Sequence, residues 1–62
     1  MKAKQKANEL VDRYLEYVEA YSSESQLENA KICALIAVNE ILKLDSVPMF
    51  WEEVKSEIKA IA

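Results

Sequence analysis

Ile32-Cys33-Ala34-Leu35-Ile36-Ala37-Val38 is a run of seven apolar residues inside a segment whose flanks read as an amphipathic helix. Each helical residue advances by about 100°, so seven in succession cover the whole circumference. A helix that is apolar all round must be covered on every side. With 62 residues, the chain has too little other structure to surround this segment. A second copy, or another partner, is expected to supply the missing wall.

Working outward from that run, the sequence predicts an all-α protein of three helices in a small bundle, expected to be a single domain. The first helix is expected over about residues 2–21. Ala3, Ala7, Leu10, Tyr14, Tyr17 and Tyr21 follow one another at alternating steps of four and three, which is a heptad seam. Val11 and Val18 widen the stripe, and Glu9, Asp12, Glu16 and Glu19 sit opposite. Ser22-Ser23-Glu24-Ser25 then breaks the pattern. Ser25 with Glu28 fits a capping box for a second helix over about 26–44, and Ser23 with Gln26 fits nearly as well.

The second helix carries one seam of Leu27, Ala30, Ala34, Ala37, Ile41 and Leu44, in which the alanines allow close approach of another helix. A further apolar surface of Ile32, Leu35, Ile36, Val38 and Leu42 is left for a partner chain. This surface makes a homo-oligomer built through helix 2 the expected state. Asp45-Ser46-Val47-Pro48 separates it from a third helix over about 48–61, where Asp45 or Ser46 can cap and proline is tolerated in the first turn. Trp51, Val54, Ile58 and Ile61 form its seam, with Phe50 alongside.

Composition excludes much chemistry. A domain of this size buries only about 60% of the surface its unfolded chain exposes and usually needs disulfides, a metal or oligomerisation. Cys33 is the sole cysteine and histidine is absent, so an internal disulfide is impossible and a structural zinc site has no ligand set. Glycine is absent as well, which removes phosphate-cradling loops and the nucleophile elbow. No catalytic residue, cofactor or metal site is expected; the chain reads as a non-enzyme that acts by binding. No apolar run is long enough to span a membrane, and Met1-Lys2-Ala3-Lys4-Gln5-Lys6 does not open a signal peptide. A cytoplasmic protein with a reduced thiol is expected.

Two binding surfaces compete. Lys2, Lys4 and Lys6 crowd the start of the first helix, the wrong end for its dipole, and suggest an anionic ligand. A pocket between subunits would draw phosphate contacts from Arg13 and Lys6, base stacking from Tyr17, Tyr21 or Trp51, and a polar edge contact from Asn39. The alternative is the acidic stripe of helix 1, facing a basic patch on another protein. Glu52, Glu53 and Glu57 on the third helix argue against sequence-specific DNA binding.

Residues 28–41, Glu28-Asn29-Ala30-Lys31-Ile32-Cys33-Ala34-Leu35-Ile36-Ala37-Val38-Asn39-Glu40-Ile41, together with Phe50-Trp51-Glu52-Glu53-Val54-Lys55-Ser56-Glu57-Ile58, resemble small proteins encoded by bacteriophages and prophages of gut bacteria. The resemblance covers about half of the chain and rests on helical packing motifs. It implies stoichiometric binding inside a host bacterium: sequestration of a nucleotide immune signal of the cyclic or ADP-ribose type, or inhibition of a host protein. A purely structural oligomer is the remaining alternative.

Overall fold

The computed structural model describes residues 2–19, 22–44 and 48–61. Three helices, α1 (Ala3–Leu15), α2 (Ser23–Leu44) and α3 (Met49–Ala60), make an all-α three-helix bundle.

The ends of these helices follow from local chemistry. Ser22 caps α2: its Oγ accepts the Ser25 N–H at 3.1 Å, and its carbonyl accepts the Gln26 N–H at 2.9 Å. The cap therefore lies ahead of both boxes expected from the sequence, and α2 gains a turn at its start. Pro48 precedes α3, where the absence of an N–H costs nothing, and its carbonyl accepts the Glu52 N–H at 2.8 Å. The capping residues Asp45 and Ser46 lie outside the described residues.

α1 stops at Leu15 rather than continuing toward Tyr21. Neither glycine nor proline interrupts the pattern there, but charge and a distant side chain do. Glu16 and Glu19 carry negative charge at the negative end of the helix dipole, with Arg13 the sole base of the last turn. Gln26, reaching over from α2, then donates Nε2 to the Leu15 carbonyl at 2.9 Å and to the Val18 carbonyl at 3.4 Å. These carbonyls at the frayed end are satisfied by a side chain instead of by another helical turn. α3 has the opposite charge arrangement, with Glu52 in its first turn and Lys59 in its last.

Two long-range hydrogen bonds fix how the helices run. Gln26 meets Leu15, and Lys31 Nζ donates to the Ile61 carbonyl at 2.6 Å. α2 is thus antiparallel to both neighbours, and α1 runs parallel to α3, with Lys4 and Asn8 lining one groove with Glu57 and Ile61. At about 1.5 Å of rise per residue, this register stacks the core in levels. Val11 lies beside Ala30; Ala7, Ala34 and Ile58 share the next level; Ala3, Val38 and Val54 share the one after. These eight side chains form the buried cluster. Most are alanine in α1 and α2, which draws those two helices close and leaves Ile58 and Val54 of α3 to fill the space.

The levels also show a stagger. α2 has 22 residues against 13 and 12 in its neighbours, so all three helices meet only near its middle. Toward its start α2 packs on α1 alone, where Leu10, Tyr14, Leu15, Val18 and Leu27 are partly buried. Toward its end it packs on α3 alone, where Leu42, Phe50 and Trp51 are partly buried. The molecule measures 39 × 19 × 15 Å as a result.

Candidate functional site

The inner side of α2 is finished within the chain: Ala30, Ala34 and Val38 have no exposed surface. Its outer side is not. Ser25, Asn29, Ile32, Ile36, Asn39 and Lys43 are all exposed and succeed one another at steps of four, three, four, three and four. A second heptad strip therefore runs along the back of the helix, apolar at its centre and polar at both ends. Ile32 is 52% and Ile36 58% exposed, one turn apart. Leaving each half in water forgoes about 1 kcal/mol of burial energy. Half-buried Cys33 and Leu35 border the pair on either side.

The surface expected to face a partner is thereby divided. Ile32 and Ile36 lie on the outer strip, and Leu35 and Leu42 sit on its shoulder, packed partly against the core. Val38 belongs elsewhere: it is wholly buried at the level of Ala3 and Val54, because two residues beyond Ile36 the helix has turned through about 200°. The strip itself was visible in the sequence as a second four–three spacing through Asn29, Ile32, Ile36 and Asn39. The run of seven apolar residues hid it, since every face looks apolar there.

The residues expected to hold a nucleotide are not gathered in one place. Arg13 and Tyr17 lie at the end of the molecule where α1 meets the start of α2, and Tyr17 is 79% exposed beyond the last turn of α1. Trp51 lies at the other end, its ring edge-on to Phe50 at a centroid distance of 5.2 Å. The register puts about 20 Å of helix between Arg13 and Trp51. Asn39 points outward on the back of α2, and Lys6 is engaged with Glu9 at 3.0 Å. Tyr21 lies outside the described residues. Among the described residues no single-chain clamp joins these groups.

The acidic stripe is interrupted too. Glu9 and Asp12 are on α1, whereas Glu16 is its C-cap and Glu19 lies beyond its last turn. A groove of about 290 Å³ between α1 and α3 is lined by Lys4, Asn8, Glu57, Ala60 and Ile61, and it is partly open to solvent. Among the described residues no group of three or more acidic or cysteine side chains is arranged to hold a metal ion, and no helix is long and apolar enough to cross a membrane. Buried polar side-chain atoms without a hydrogen-bond partner are absent among the described residues.

No family model, curated protein or solved structure matches the chain.

Proposed function

We propose that this protein is a non-catalytic protein-interaction module whose working surface is the outer strip of α2. The observation that carries the reading is the pair Ile32 and Ile36, two large aliphatic side chains more than half exposed on a helix whose opposite side buries Ala30, Ala34 and Val38 completely. The bundle does not need them for its core. Their heptad neighbours Asn29 and Asn39 frame them with neutral polar groups, which is the arrangement of an apolar contact patch with a polar rim. Ion pairs on the same helix take up charge at the end of the strip, Lys43 with Glu40 at 3.1 Å, and beside it, Lys31 with Glu28 at 3.6 Å.

A photoreactive benzoylphenylalanine in place of Ile36, compared with the same group in place of exposed Glu53 on α3, tests the reading in cells that make the protein. Covalent protein adducts are expected from position 36 and not from position 53. Equal labelling from both positions, or none from position 36, removes the proposal.

A further inference from the structure

The outer strip of α2 is nearly a palindrome. Measured from the level of Ala34, Ile32 and Ile36 are equidistant, as are Asn29 and Asn39, and Ser25 and Lys43. We infer that the occupant of this strip is a second copy of the same helix, laid antiparallel across a two-fold axis at the level of Ala34. The inference rests on the interaction-module reading above and names its partner.

Self-complementarity decides the partner and the direction. In an antiparallel pair, each residue of the strip faces the one equidistant from the axis on the other copy. Ile32 then packs on the partner's Ile36, and Ile36 on the partner's Ile32, so four isoleucines close one dry centre. Asn29 faces the partner's Asn39, amide against amide, with donors and acceptors on both sides. Lys43 faces the partner's Ser25. On the shoulders Leu35 meets its own symmetry mate and Glu28 meets the partner's Leu42, while Glu40 stays paired with Lys43 of its own helix. No carboxylate faces a carboxylate.

A parallel pair in register does worse at the same positions. It sets Lys43 against the partner's Lys43 within the strip and Leu35 beside the partner's Glu40. The like charges at Lys43 oppose that arrangement, whereas the antiparallel pair sets Lys43 against a neutral serine; the apolar–carboxylate contacts on the shoulders are equal in number in the two. The antiparallel pair also brings Cys33 next to the partner's Cys33 across the axis, because both lie on the same shoulder one residue from the centre.

Disulfide trapping on the full-length chain tests the geometry. With Cys33→Ala as background, Asn29→Cys and Asn39→Cys are made separately, and an unchanged melting curve by circular dichroism shows that each surface change leaves the fold intact. In a glutathione redox buffer the mixture of the two variants should give the 29–39 cross-linked dimer. Each variant alone should give little, since equal positions then sit about 15 Å apart along the helices. Native Cys33 should in turn be joined to its mate by a short bismaleimide, and Ile36→Asp should abolish that product. Cross-linking of each variant with itself and not with the other means a parallel pair and overturns the inference. No cross-link in any sample, with position 36 still labelling a different protein, overturns the self-pairing and leaves the interaction module standing.

Discussion

The two faces of α2 both follow helical periodicity and meet opposite fates. On the inner face Ala30, Ala34 and Val38 recur every four residues and disappear into the chain's own core, with Leu27 partly buried ahead of them. On the outer face Ser25, Asn29, Ile32, Ile36, Asn39 and Lys43 recur at alternating steps of four and three and remain exposed. What separates them is size and framing. The inner face is small, which allows two neighbouring helices to approach; the outer one sets large aliphatic groups between asparagines. Periodicity marks out each face, and side-chain volume separates the one the chain closes on itself from the one proposed above to meet a partner.

The largest effects should come from breaking the inner face. Ile58→Ala empties the level shared with Ala7 and Ala34 and should cost about 3 kcal/mol. A core of this size supplies roughly 3–5 kcal/mol in total. The variant should therefore have lost most of its helical circular dichroism at room temperature. Ala34→Leu, which forces three extra carbons into a level with no spare volume, should be destabilised by about 1–3 kcal/mol. A native-like melt for both variants would mean that the inner face is less tightly closed than its zero exposure indicates.

Ile36→Asp sharpens the comparison from the outer side. The change exposes a charge where the isolated chain already has water, so stability of the fold should move by less than about 1 kcal/mol. Association should nevertheless be lost, because pairing would bury an unpartnered carboxylate. Sedimentation across the micromolar range should show dimer for the parent and monomer for the variant. Unfolding on substitution would place Ile36 in the core, and undiminished association would move the interface off α2.

Smaller effects are expected where single polar contacts tie the helices together. Ser22→Ala removes the α2 cap, and Lys31→Met removes the hydrogen bond to the Ile61 carbonyl; each should cost about 1 kcal/mol. For a domain this small, that corresponds to a fall of about 4–8 °C in Tm. The smallest effect should come from nucleotides. A ligand specific for the native state at 100 times its Kd adds about 2.7 kcal/mol, yet Arg13 and Trp51 occupy opposite ends of one chain. Cyclic and ADP-ribose-type nucleotides are expected to leave Tm unchanged. A saturable rise that Arg13→Ala removes would show that two copies assemble the pocket one chain lacks.

The helices were legible because their signals are local. The seam Trp51, Val54, Ile58 and Ile61 orients α3, with Val54 and Ile58 fully buried and its two ends partly so. Ala3, Ala7 and Val11 do the same for α1. The early end of α1 was not legible, since its terminator, Gln26, stands eleven residues downstream of Leu15 and acts through space. Nor was the inward placement of Val38, because within a fully apolar run no polar residue marks which side faces out. The scattering of Arg13, Tyr17, Asn39 and Trp51 has a similar cause. It depends on register between helices, which the Lys31–Ile61 and Gln26–Leu15 contacts set and no single segment encodes.

The stagger of the bundle equips the protein with its own optical probes of partial opening. Trp51 stands where α2 touches α3 alone, while Tyr14 and Tyr17 stand where α2 and α1 meet or just beyond. Between them lies the one stretch that all three helices cover. Each extremity can therefore loosen while the middle stays shut, in separate subglobal steps. Trp emission and tyrosine emission would then follow different curves in urea, and amide exchange would be slowest around Ala34. Coincident curves would instead make the whole molecule one cooperative unit, with the long helix transmitting strain from either extremity to the other.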